Sequence, residues 1–543
     1  MKKICLLSVF IFSNLFSEFN VSYMLKYADG ENSDTDIFEN YIDVNMYYDN
    51  LYVYSFLKYA DPPLIGYPTN NFDDFFNVFF VEYNKDDLDI TIGDVLTVYG
   101  RGLSLHTYQD RDIDYNNGVR GISMTYSISD RWDIYSLFGI NDFENRSNPA
   151  NDPDINIDNE LFSVGTALYQ DLYDLNYSFH VKNQKIDSTS ILVLSNFGNY
   201  LGDYLFNTLH ISENPRTDYS MKNFEHNIGA NFYFDNLDLY SEYSKVYYNK
   251  IHGERIEGYR AYLSAYTNLL GVDVLYEYKN YNTPYLYSVF SNPPTVFKET
   301  SSPLISRHLH VVDFNNEVGH QFVINKTFEN DMNLAVNYAF AYKHNISEDV
   351  INPSIDDVFE NMLLFKDLDD FSDFLPYRQL NVELSGWNKK GDLFYKIALD
   401  IYNEHINITN SNSNFMTGTK LLEGITMPTQ FSHMFDSGNS LSYYLELQTL
   451  KDQAIDEESN SIYFNPSFNY QGKWISSLFY DYEIVEGIKK NWMGADFTYY
   501  ITDTNVISIF AGSQKGGLVC ANGTCIQQPD FDDGFKLTLR TMF

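Results

Sequence analysis

The sequence predicts an all-β protein: a single large antiparallel transmembrane β-barrel of about 26 strands, in a range of roughly 22–26, with both termini periplasmic. Three observations predict it. Apolar and polar side chains alternate with a period of two along many segments. Tight turns and long polar connections take turns along the chain. The last strand ends on an aromatic residue.

The N-terminus comes first. Lys2 and Lys3 precede a short apolar stretch, Ile4 to Phe16, broken only by Ser8, Ser13 and Asn14, and Ser17 is a small residue suited to cleavage. Residues 1–17 are therefore expected to be a cleaved signal peptide, and 18–543 the barrel. The stretch is shorter than the roughly 20 residues of a spanning helix. Residues 1–17 carry two Lys and no acid, so cleavage moves the formal charge from −38 to −40. A chain this acidic excludes nucleic-acid binding through phosphates. It suits attraction of cations, and acidic loops also keep an aromatic-rich chain soluble before insertion.

Composition favours strands. Tyr 47, Phe 42 and Trp 4 make the chain 17% aromatic, and aromatic rings pack well on a pleated surface. The chain is 44% hydrophobic, yet its mean hydropathy is −0.33. Apolar residues are thus interleaved with polar ones rather than blocked together. After the first 17 residues no run reaches the roughly 18 apolar residues of a transmembrane helix.

The alternation is explicit. Ile122, Met124, Tyr126 and Ile128 alternate with Ser123, Thr125 and Ser127. Leu175, Tyr177, Phe179 and Val181 alternate with Asn176, Ser178, His180 and Lys182. Leu441, Tyr443, Leu445 and Leu447 alternate with Ser442, Tyr444, Glu446 and Gln448. A two-residue period places each set on its own face of a strand. The segments run about 10–12 residues, the length of a tilted bilayer span, whereas soluble strands average about five or six. Tight turns are expected at Ser129–Arg131, Asp235–Asn236, Asn330–Asp331, Lys389–Gly391, Gln471–Lys473 and Thr502–Thr504. Longer polar loops fall near 97–117, 141–158, 282–311, 345–373, 403–418 and 513–533. Periplasmic turns and external loops give this rhythm. The strands begin directly after the signal, so no N-terminal plug is expected, and long loops folding inward are the candidates for narrowing a wide lumen.

The tail places Phe535, Leu537, Leu539, Thr541 and Phe543 on one face. It looks like the C-terminal strand that the barrel-insertion machinery reads in outer-membrane barrels. That machinery and outer-membrane lipid are the partners it implies.

The loop after the strand beginning at Leu88 is rich in charge and glycine. Its constriction candidates are Arg101, His106, Asp110, Arg111, Asp112, Asp114 and Arg120. An inward-folded loop setting Arg101, Arg111 and Arg120 against Asp110, Asp112 and Asp114 would place a transverse field across a pore. The stretch Gly100–Leu103, the following Thr107–Arg111 and the close Asn116–Gly121 resemble a bacterial family of barrel-like proteins known as a domain of unknown function, number 6029. Gly516–Cys520, Cys525, Pro529 and Phe543 resemble the same family. Cys525 is followed by Ile526, where the family resemblance leads one to expect a basic residue. The resemblance implies the fold over nearly the whole mature chain and brings no activity.

Of three cysteines, Cys5 lies in the signal, leaving Cys520 and Cys525 separated by four residues. An exported compartment is oxidising, so a local disulfide is expected. No metal site is expected. Asp152, Asp154, Asn156 and Asp158 have the alternate spacing of a calcium loop without its glycine or closing Glu, so Ca²⁺ there would be held weakly. Asp110, Asp112 and Asp114 share the spacing and lack the same features. His308 and His310 form a loop-edge pair that could bind a metal. No Gly-x-Ser-x-Gly or His-Glu-x-x-His stands in the sequence, and an outer-membrane enzyme is the least favoured reading. The first expectation is passage of small solutes with a cation preference, without a cofactor. The alternative is a scaffold, adhesin or secretion-assembly component.

Overall fold

The structure is a computed structural model. It describes residues 18–30, 37–63, 76–145, 155–187, 190, 219–251, 254–283, 289–310, 312–329, 331–344, 376–408, 418–521, 524–528 and 530–543. The signal peptide expected at residues 1–17 lies outside them.

Among the described residues, 24 strands form one continuous sheet. Each pairs antiparallel with its neighbour. The first, Glu18–Gly30, pairs with the last, Phe531–Met542, from Ser22 opposite Met542 to Gly30 opposite Gly534. The sheet therefore closes on itself and has no free edge, which lets it satisfy its own backbone within lipid. Strand lengths run from 8 residues in Leu88–Val95 to 17 in Gly418–Met434. The longest exceed a bilayer span. The count of 24 falls inside the expected range and two below the expected 26. Two further strands, Gly517–Ala521 and Thr524–Gln528, pair only with each other and stand outside the wall. Two still shorter hairpins, within 98–116, are also outside it.

The tight turns gather at one rim, and the strand ends that border the long connections at the other. Both ends of the described chain lie at the short-turn rim, where the Phe543 amide donates to the Val21 carbonyl at 2.8 Å. The rim carries exposed Trp132, Phe234, Tyr470, Tyr499 and Phe543, the aromatic girdle of a membrane interface. Above it the outer face is apolar: Ile92, Ile122, Phe138, Ile228 and Leu478 are all exposed. On the strand Tyr173–Ile186, Leu175 and Tyr177 face out, whereas Ser178, His180, Lys182 and Gln184 are buried inside. This is the architecture of an outer-membrane β-barrel. The expected alternation holds, with polar groups inward and apolar groups toward lipid.

The seam is built on glycine. Gly494, Gly512, Gly534 and Gly30 lie in register across four adjacent strands. Gly512 has φ +129°, and a Cβ there would run into the Met493 carbonyl oxygen. The backbones approach so closely here that only glycine fits, and the sheet can bend to meet its first strand. Gly512→Val should cost at least about 1–3 kcal/mol from backbone strain alone. The temperature at which the compact band converts to the unfolded band on gels should fall; an unchanged temperature would refute this account of the seam.

Candidate constriction inside the barrel

Two long connections turn into the lumen and meet. The first is 96–118. Its tip, Gly100–Arg101–Gly102, reaches Glu242 on the wall six strands away, where the Arg101 amide donates to Oε2 at 2.6 Å. A Cβ on Gly100, whose φ is +60°, would strike that carboxylate, so glycine is what lets the backbone come so near. The Arg101 side chain is exposed and sits 5.2 Å from the Tyr240 ring. Farther along, Arg111 pairs with wall Asp43, one bond being 3.1 Å; it also donates to the Tyr54 hydroxyl at 2.7 Å and lies 3.7 Å over the Phe56 ring. Asp114 pairs with wall Lys58.

Behind the tip lies a buried ionic cluster. Lys182, Glu225 and Arg260 come from three strands and are essentially without solvent contact. Lys182 Nζ is 2.5 Å and Arg260 Nη1 3.4 Å from the Glu225 carboxylate, which also accepts from Ser244. The two cations use their remaining donors on the loops. Lys182 donates to the Ser104 carbonyl at 2.7 Å, and Arg260 to Leu103 at 3.1 Å and Phe314 at 3.5 Å. Arg260 thus grips both inward connections. Removing one member of such a cluster leaves a buried charge unpaired, at about 3–5 kcal/mol.

The second connection is 283–315. It includes one helical turn, Pro303–Ser306, capped by Ser302. Wall Glu446 accepts from Ser302 Oγ, from Tyr444 and from the Leu304 amide at 2.7 Å. Arg307 pairs with wall Asp481. His310 stands between two carboxylates, with Nδ1 2.7 Å from Glu404 and Nε2 3.1 Å from Glu317, its ring stacked 4.1 Å from Tyr377. Lys279 completes the chain by pairing with Glu317. The connections also touch each other: the His106 amide donates to the Phe290 carbonyl, and Asn117 Nδ2 to Val289, both at 2.7 Å. Apolar contacts fill between them. Leu105, Val289 and Phe290 pack against wall Val119, Leu137, Phe143 and Ile157, and Leu103 and Val296 against Tyr240 and Tyr262.

The expected residues divide clearly. Arg101, His106, Arg111 and Asp114 lie in the inward loop and bind the wall or the second connection. Burial holds the His106 imidazole below its usual range, against a 3.5 Å contact with the Asn292 carbonyl. Asp110 accepts from the Asp112 amide at 2.9 Å, and Asp112 is exposed. Arg120 is a correction. It shares the outward face of Ile122 and pairs with Asp94 at 3.0 Å on the lipid side of the wall. Arg111 and Asp114 take wall residues, Asp43 and Lys58, as their ion-pair partners. Asp152 and Asp154 lie outside the described residues. Asn156 hydrogen-bonds Ser190 at 2.6 Å, and Asp158 is exposed. Among the described residues no group of three or more metal-ligating side chains could hold an ion; both nitrogens of His310 face carboxylates. Cys520 and Cys525 lie directly opposite in their hairpin. Phe535, Leu537, Leu539, Thr541 and Phe543 share the face that Phe535 presents to lipid. Lys182, Glu225, Arg260, Glu242, Glu446 and Asp481 were not singled out as functional by the sequence. Their inward position is readable from strand parity, but their partners are not.

Wall and lumen together define a large outer-membrane barrel with a loop-filled interior. The chain belongs to a family of unknown function, DUF6029, whose profile matches residues 15–543. No curated protein matches it. Among solved structures it is similar to the siderophore receptor PirA from Pseudomonas aeruginosa, at 9% identity and a TM-score of 0.47, over 97% of this chain and 80% of that one. It is also similar to the copper transporter OprC, at 9% identity and 0.46, over 97% and 81%. The ferric citrate transporter FecA in the unliganded form follows at 8% and 0.44, over 97% and 79%.

Two predictions follow from this geometry. Burial opposes protonation of His310, but Glu317 and Glu404 overcome it and raise its pKa to about 9. A raised pKa means the latch is at full strength below about pH 6.5, the free imidazole value. It should weaken as pH rises through about 9. Hydrogen exchange in the 298–310 segment, corrected for intrinsic rate, should accelerate across that window and lose the step in His310→Gln. A step of equal size in the variant would remove the assignment. For the hairpin, a Cys520–Cys525 disulfide should shield both thiols from alkylation until reduction. Cys520→Ser should then leave the unfolding temperature of the barrel unchanged, whereas loss of folding would contradict a purely local bridge.

Proposed function

We propose that the protein is an outer-membrane channel for small solutes, closed by its own loops and favouring cations when open. The observation that carries this reading is how the lumen is filled. The connections 96–118 and 283–315 meet the wall through side-chain ion pairs, hydrogen bonds and small apolar clusters, all of which can be released without breaking the sheet. Sequestered charges holding a loop give a two-state element that a modest energy can shift. Cation preference is supported by the −38 formal charge. It is also supported by inward carboxylates whose bonds come from neutral donors. Asp400 accepts from Gln379 and Asn381 at 2.9 and 3.0 Å, and Glu242 from Asn227 at 3.0 Å.

Conductance in planar bilayers tests it. Wild type should be closed most of the time, with brief cation-selective steps. Glu446→Gln loosens the second connection and Arg111→Ala the first. Loss of a hydrogen bond to a charged group, about 1.5–3 kcal/mol, should raise the open fraction about tenfold or more. Silence from wild type and from both folded variants would overturn the channel and favour a scaffold.

A further inference from the structure

A cavity of about 460 Å³ lies inside the barrel, beside the Pro303–Ser306 turn. Its size falls in the ~300–1,000 Å³ range of small-ligand sites. Five charged side chains line it: Arg307, Asp481, Lys515, Asp496 and Lys536. Three of these are already engaged. Arg307 is paired with Asp481, and Lys515 Nζ lies 2.8 Å from Glu483. Two are left. Asp496 has no hydrogen bond or ion pair among the described residues. Lys536 donates to the neutral Gln514 amide oxygen at 2.8 Å and otherwise faces the Phe531 and Phe510 rings at 4.3 and 5.2 Å.

The register sets these two charges apart by design of the sheet. Asp496 lies opposite Phe510, and Phe510 opposite Lys536, on three adjacent strands. Two strand spacings place their backbones about 10 Å apart. Phe510 lies between them, and Phe479, from the strand on the other side of Asp496, stacks on it at 5.5 Å and 11° to make an aromatic platform. The platform lies flat because Gly494 has no Cβ to lift it; one added there would collide with both rings.

We propose that this cavity binds a small zwitterion with an apolar body, of the kind of a short peptide. Its ammonium meets Asp496, its carboxylate meets Lys536, and its apolar side rests on Phe479 and Phe510. A simple cation would be opposed by Lys536 and a simple anion by Asp496; a molecule carrying both charges satisfies both. Charges at the two ends of a dipeptide span Phe510 better than the adjoining charges of one amino acid. The assignment names a solute class for the channel and rests on that reading for its role, but binding is measurable without conductance.

Calorimetry on the detergent-purified full chain is the test, with three probes: glycyl-phenylalanine, its N-acetyl derivative and its C-terminal amide. The free dipeptide should bind, and capping either end should weaken binding about tenfold, the worth of one hydrogen bond to a charged group. In Asp496→Asn the penalty for acetylation should vanish while the penalty for amidation stays; Lys536→Gln should do the reverse. Equal binding of all three probes by wild type, or no binding of any, would overturn the proposal whatever the variants do. Binding with the expected discrimination in a barrel that never conducts would sink the channel and keep the site. Conductance with no probe discrimination would do the opposite.

Discussion

The interior depends on one buried cluster, Lys182–Glu225–Arg260. A cylinder of 24 strands is wide enough to hold water, and three charges near its inner surface would ordinarily be solvated. Here they are dry because Leu103, Ser104 and Phe314 offer their carbonyls to the two cations. The dependence runs both ways. The loops need charged donors to satisfy backbone groups taken from water, and the charges need the loops to be satisfied once water has gone. Apolar contacts such as Leu105 with Val119 then add non-directional cohesion, but the ionic cluster decides where the loops sit.

The wall was written in the sequence because its code is local. A period of two assigns Leu175 and Tyr177 to lipid and Ser178 and Lys182 to the lumen without knowledge of any other strand. Turn spacing likewise gave the rims. The same code contains the correction to Arg120: it alternates with Gly121 and stands in step with Ile122, so parity alone puts it outside, and its place among loop charges was misleading. The stretch 513–533 reads as a polar loop, and nothing local says that Gly517–Ala521 and Thr524–Gln528 within it pair with each other.

The filling of the lumen was legible only in part. The charge and glycine density of 97–117 pointed to an inward loop, and Arg111 and Asp114 do reach the wall. Their partners, Asp43 and Lys58, could not be read, since such contacts join residues far apart in sequence. His310 shows the limit well. Beside His308 it looked like half of a metal site, but the groups that claim its nitrogens are Glu317 and Glu404, the latter on a strand three connections farther along. Glu446 was visible as an inward residue and not as the group that accepts from Ser302 and the Leu304 amide of a helical turn far away in sequence.

The placement of anchors also orders assembly in time. Apart from its contacts with the second connection, the first loop takes its partners from Asp43, Lys58, Lys182, Glu242 and Arg260, all in the first half of the chain. The second needs Glu404, Glu446 and Asp481, which emerge later. An assembly intermediate lacking its final strands could therefore seat the first connection in full while the second is held only by early partners such as Arg260 and Lys279. Full seating of the second connection then becomes a late event coupled to completion of the wall.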